Sequence, residues 1–140
     1  MKKSLLVYLT LFVVAASILA ACSGNASTSL AGDWKLVSYG SSSNPTPADA
    51  NTETSLTFGS DGKFSGNVGC NSFGSDYEVD GNTITFGPIT STLMACADPI
   101  MQQEGEVFNV FTKSAAFKID GDILTVTSVN GEAVVVFERK

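Results

Sequence analysis

A two-residue rhythm limits what this chain can fold into more than any other feature. Trp34/Leu36, Leu56/Phe58, Phe64/Val68, Tyr77/Val79, Ile84/Phe86, Phe117/Ile119, Leu124/Val126 and Val135/Phe137 keep their apolar side chains on positions of one parity, with polar residues or threonine between many of them. Successive side chains of a strand point to opposite faces, so the pattern describes short strands buried on one side. Asp61-Gly62, Asp80-Gly81, Asp120-Gly121 and Asn130-Gly131 punctuate the rhythm. Such pairs tolerate the positive φ that tight hairpin loops require, and so the strands are expected to pair antiparallel.

One hairpin is written twice. Tyr77-Glu78-Val79-Asp80-Gly81-Asn82-Thr83-Ile84-Thr85-Phe86 recurs forty residues later as Phe117-Lys118-Ile119-Asp120-Gly121-Asp122-Ile123-Leu124-Thr125-Val126. Two copies are too few for a solenoid, so they read as equivalent ribbons of one sheet or barrel. Only Asp98 to Lys113 breaks the alternation. There Ile100, Val107, Phe108 and Phe111 share a helical stripe, with Gln102, Gln103, Glu106 and Asn109 off it. Asp98 fits an N-cap, Pro99 the first helical position and Lys113 the C-terminal end of the dipole. Gly105 costs roughly 1 kcal/mol relative to alanine, so this helix needs docking to persist, with Phe108 and Phe111 as lids on the core. The expected fold is mostly β, within the α+β class: an antiparallel, barrel-like sheet of about eight short strands with one covering helix near residues 98–113.

The amino terminus speaks to location. Met1-Lys2-Lys3 is cationic, Ser4 to Leu19 is almost wholly apolar, and Leu19-Ala20-Ala21-Cys22 ends the run with small residues before a cysteine. This is the layout of an export signal, expected over residues 1–21. The Leu-Ala-Ala-Cys tetrapeptide resembles the lipobox of bacterial lipoproteins, which implies a lipidated Cys22 thiol, with acyl chains such as palmitate, at the start of the mature chain. An uncleaved N-terminal anchor is the competing reading. Residues 22–29 are a polar, small-residue tether and 30–140 a single domain.

The precursor has 8 basic and 14 acidic residues, and loss of Lys2 and Lys3 leaves the mature chain at −8. With a single arginine, Arg139, and no basic run, a nucleic-acid partner is excluded and membrane attachment rests on the lipid at Cys22. Once Cys22 is consumed, Cys70 and Cys96 remain as an even pair in an exported chain. A disulfide is expected, two buried free thiols being the other reading. The bridge would close a loop of 26 residues, worth about 3.5 kcal/mol in the chain-entropy picture.

Three blocks then carry a family resemblance: Gly66-Asn67-Val68-Gly69-Cys70-Asn71-Ser72-Phe73-Gly74-Ser75-Asp76-Tyr77, Thr85-Phe86-Gly87-Pro88-Ile89-Thr90-Ser91-Thr92-Leu93-Met94-Ala95-Cys96, and Glu104 to Phe108. Their order and spacing resemble the META domain family, which includes heat-inducible bacterial lipoproteins. The opening Leu30-Ala31-Gly32-Asp33-Trp34-Lys35-Leu36 is similar to the family's first strand, so the resemblance spans Leu30 to Lys140. It implies a small barrel-like fold with one helix at the cell envelope, linked to heat-shock or antibiotic-tolerance phenotypes without an established reaction.

Side-chain chemistry points the same way. The chain has no histidine, which removes Ser-His-Asp and Cys-His nucleophiles and histidine-containing zinc sites. Asp76/Glu78/Asp80 and Asp120/Asp122 sit at predicted turns and read as solvated residues rather than a glycosidase pair or calcium loop. Gly66, Gly69 and Gly74 precede no helix, so they read as bends or close approaches rather than a phosphate loop. No catalytic residue, metal or cofactor is expected. The remaining candidates are a partner-binding surface at Asn71, Phe73 and Met94, with turn geometry as the other reading of Cys70 and Asn71, and the long loop Ser41 to Thr54, with a disordered, length-tolerant insertion as its other reading. The expected protein is a lipid-anchored, non-enzymatic envelope component, facing the periplasm from the outer membrane in a Gram-negative cell. It binds an envelope protein or supports stress tolerance; the alternative is a barrel holding an apolar small ligand inside.

Overall fold

The computed structural model describes residues 29–140. The expected signal peptide, Cys22 and the tether up to residue 28 lie outside the described residues. Among the described residues ten strands and one helix follow in chain order: β1 Gly32–Ser41, β2 Thr46–Pro47, β3 Ser55–Phe58, β4 Lys63–Asn67, β5 Ser72–Asp80, β6 Thr83–Phe86, β7 Thr90–Ser91, α1 Asp98–Phe111, β8 Ser114–Asp120, β9 Ile123–Ser128 and β10 Ala133–Arg139.

Eight of the strands close a barrel in the order β1-β3-β4-β5-β6-β8-β9-β10, every pairing antiparallel. The seam is β1 against β10, running from Trp34↔Arg139 to Ser41↔Ala133 with an irregularity between Leu36 and Ser38. These are the eight strands that the alternation predicts. The two-residue strands β2 and β7 are additions to the edges of β1 and β5, too short to leave a periodic signal. Closure removes the open sheet edges that a sheet of this size would otherwise expose.

The duplicated ribbons lie side by side. Tyr77↔Phe86 and Val79↔Ile84 in β5–β6 correspond to Phe117↔Val126 and Ile119↔Leu124 in β8–β9. Gly81 and Gly121 turn the two hairpins at φ 58° and 60°. The ribbons join through β6 and β8, where Thr83 faces Ala116 and Thr85 faces Ser114.

Inward-facing positions are filled by rings. Phe64 lies 5.2 Å from Phe86, 5.6 Å from both Phe58 and Phe111 and 5.7 Å from Phe73, centroid to centroid. Trp34, Phe58, Phe64, Phe111 and Phe137 are at most 1% exposed. The positions that an interior ligand would need are therefore taken by the chain's own side chains, as in other small barrels.

The antiparallel path gives the barrel two different ends. One carries the tight turns at Asp61-Gly62, Asp80-Gly81 and Asp120-Gly121 and receives both termini of the described chain. There Trp34 Nε1 donates to the Leu30 carbonyl at 2.9 Å, Arg139 lies 4.1 Å from the Trp34 ring, and Lys140 N donates to Asp33 O. At the other end α1 leads into β8 and drives Val107, Val110 and Phe111 into the core.

Helix boundaries differ from expectation by one residue at the start. Ala97 holds the cap position with no side-chain cap bond, so Asp98 is the first helical residue, where its charge still favours the positive end of the dipole. The helix stops at Phe111 with no basic residue in its last turn, leaving Lys113 beyond it.

Candidate functional site

Two consecutive polar residues organise the helix end. Glu104 is 5% exposed, and its Oε2 accepts the backbone N–H groups of Cys70 at 2.9 Å and Asn71 at 2.5 Å, while Oε1 accepts Asn71 Nδ2 at 2.7 Å. Gln103 is fully buried: its Nε2 donates to Val68 O at 2.7 Å and its Oε1 accepts Asp49 N at 2.8 Å. The helix is thereby bolted to the β4–β5 loop and to the segment between β2 and β3. Gly69 makes the approach possible, since a Cβ there would lie 2.8 Å from Glu104 Cβ and 2.9 Å from the Ile100 carbonyl oxygen.

Asn71 holds a second layer, the strap from Thr92 to Ala97. Its Oδ1 accepts Met94 N at 2.7 Å and the Thr92 hydroxyl at 2.8 Å, and its Nδ2 also reaches Met94 O at 3.4 Å. Thr92 N donates to Ser72 O at 3.0 Å, continuing the β5–β7 ladder, after which the Asn71 carboxamide stands in for a peptide unit. The Cys70–Cys96 disulfide, with Cα atoms 6.0 Å apart, ties the far end of the strap to the same loop. Between these fixings Leu93 is 95% and Met94 55% exposed.

The structure sorts the residues expected to form a binding surface. Met94 reaches solvent, but Asn71 and Phe73 do not, at 3% and 5% exposure. Asn71 turns inward because its amide is the strap's hydrogen-bond partner. Phe73 turns inward because it occupies an inward position of β5, packing 5.0 Å from Phe108. Gln103, placed off the apolar stripe by helical periodicity, is instead buried with both ends of its amide satisfied. The segment Ser41 to Thr54 is not an open loop. β2 pairs with β1, Asp49 Oδ2 accepts the Thr52 hydroxyl, and the buried Thr54 Oγ1 accepts Leu36 N at 3.0 Å. Hydrogen bonding to Thr52 and Asn51 holds the Asp49 carboxyl below its ordinary pKa.

A cleft of about 680 Å³ lies on the rim beside the helix, lined among others by Gly40, Glu106, Val110, Lys113, Val129 and Glu132. Nearby, burial raises the Tyr39 hydroxyl above the ordinary tyrosine value, with Glu106 and Asp49 adding to the effect. The turn-end acids face solvent: Asp76 pairs with Lys63 at 2.8 Å and Asp120 with Lys118 at 3.2 Å. Among the described residues no group of three or more Cys, Asp or Glu side chains is placed to hold a metal ion.

The geometry defines a class: a small, closed antiparallel barrel, plugged at one end by a helix and carrying there a strap secured by an asparagine and a disulfide. The META domain family model matches residues 28–140, and the chain belongs to that family. Among solved structures it is similar to the NMR structure of a protein from Burkholderia xenovorans, with TM-score 0.65 and 24% identity over 78% of this chain and 81% of that one. A crystal structure of a DUF4847 family protein from Bacteroides vulgatus has TM-score 0.60 and 15% identity over 79% and 93% of the two chains. These similarities concern the fold. No curated protein matches the chain.

Proposed function

We propose that this META domain is a non-catalytic recognition module of the bacterial cell envelope, anchored through lipid on Cys22 and binding an envelope protein with the helix end of its barrel. The observation that carries this reading is the strap. Its fixings hold Leu93 and Met94 in solvent at a stationary place, so a partner would meet apolar side chains without first ordering them. The lipobox-like Leu19-Ala20-Ala21-Cys22 supports the anchor. Since β1 leaves the turn end, a tether there would present the helix end away from the membrane. A role in envelope stress tolerance rests on the family resemblance alone.

Two measurements test the reading. Metabolic labelling with a fatty-acid analogue should mark the wild-type chain and not Cys22→Ala, which should accumulate as precursor; equal label in both removes the anchor. Cross-linking in intact cells followed by affinity capture should recover a partner with the wild type and lose it with Met94→Lys, at a side chain 55% exposed, whose melting temperature should be unchanged. Full recovery by the folded variant removes the helix end as the binding surface.

A further inference from the structure

The strap is also a free strand edge. The β5–β7 register sets Phe73 opposite Ser91 and Gly74 opposite Thr90, and the next residue, Thr92, gives its N–H to Ser72. Alternate residues of an antiparallel strand face their hydrogen bonds to opposite sides, so Thr92, bonded to Ser72, faces the barrel while Ser91 and Leu93 face outward; beyond β7 the Met94 N–H turns back to Asn71 Oδ1. Leu93 and Ala95 make no backbone hydrogen bond among the described residues. Strand edges in solvent are ordinarily blunted by charge, proline or a covering element. Thr90 to Ala97 contains no charged residue and no proline.

We infer that this edge accepts an extended, basic segment of a partner protein as an added β-strand, an inference that rests on the protein-binding reading above and gives it a chemistry. The added strand would take its main-chain hydrogen bonds from Ser91, Leu93 and Ala95, over about 17 Å for five residues, with Leu93 and Met94 offering apolar contacts. Charge selects the occupant. No lysine or arginine occurs from Phe64 to Thr112, whereas the exposed Asp98 directly follows the strap's end at Ala97, in a chain with 14 acidic and 8 basic residues. A second copy of this chain, strongly acidic itself, would meet like charge at the same edge; a lysine- or arginine-bearing segment would not.

The test uses the full-length chain in detergent and a synthetic peptide alternating lysine and valine, with amide exchange read residue by residue. Exchange should slow at Leu93 and Ala95 on peptide addition and stay unchanged at Thr92 and Met94, whose N–H groups already face the barrel. A peptide alternating glutamate and valine should bind at least about tenfold more weakly, a difference of about 1.4 kcal/mol. Leu93→Pro removes an N–H that is bonded to nothing, so it should abolish protection without lowering the melting temperature. Leu93→Lys, which keeps that N–H, should weaken the basic peptide at least about tenfold. Equal affinity for the two peptides, absence of protection at Leu93 and Ala95, or pairing of the chain with itself through this edge would overturn the inference. A cellular partner that cross-links to the rim cleft while the strap stays unprotected would overturn it too and leave the protein-binding reading standing.

Discussion

The carboxylate of Glu104 sits where the backbone N–H groups of Cys70 and Asn71 converge, accepting both through one oxygen at 2.9 and 2.5 Å. The second oxygen takes the Asn71 side-chain amide, so one buried side chain satisfies three donors of a loop that has no other strand to pair with. Glu104→Ala should leave the Cys70 and Asn71 backbone N–H groups buried without partners, the Asn71 side-chain amide keeping only Met94 O, and cost about 3 kcal/mol. For a domain of this size that lowers the melting temperature by more than about 10 °C. A loss below about 1 kcal/mol in chemical denaturation would mean that the loop finds other acceptors.

The Cys70–Cys96 bridge closes 26 residues around that loop and the strap. Cys96→Ser should therefore destabilise by about 3 kcal/mol. Freshly isolated wild-type protein should show no thiol at either position until reduced; alkylation of both without reductant would contradict the bridge.

Phe64 touches four other phenylalanine rings at the barrel centre, so Phe64→Ala should cost about 3–5 kcal/mol. Leu93→Ala, at a side chain 95% in solvent, should stay within about 0.5 kcal/mol of wild type. Thermal melts of the two variants give the comparison, and similar losses would mean that the strap is packed rather than presented.

At high pH two tyrosines should govern stability. Burial raises Tyr39, with Glu106 and Asp49 contributing, and burial also raises Tyr77, with Asp61 contributing. A phenol whose pKa is raised on folding stabilises fully below the unfolded value of 10.0 and loses that contribution as pH rises through the folded value. Stability should thus decline above pH 10, with less decline in Tyr39→Phe, and phenolate absorbance should show delayed ionisation. Ionisation of both tyrosines at their ordinary value in the folded protein would contradict this.

How much of this was legible in the sequence follows from which forces leave a local trace. Strand alternation is local, and the eight apolar pairs mark the eight barrel strands; so is the Asp-Gly turn, and the echo of β5–β6 in β8–β9 locates two adjacent ribbons. The roles of Asn71, Gln103 and Glu104 depend on contacts across more than twenty residues of chain. Polar side chains on a helix or in a loop read as solvated until the fold supplies donors for them, which is why Asn71 was expected on the surface and Gln103 off the core. Gly69 follows the close-approach reading rather than the bend, and what the sequence leaves open is only the element approached, the helix at Ile100 and Glu104. Leu93 left no periodic signal because its exposure is set by its neighbours' hydrogen bonds.

The most direct test of the account places a photo-cross-linking side chain at Leu93 on the helix end or at Asn82 on the turn end of the full chain and irradiates intact cells. A protein adduct should form from Leu93 and not from Asn82, in the lipidated chain with its disulfide intact. An adduct from Asn82 alone, or from neither position, would contradict a recognition surface at the helix end.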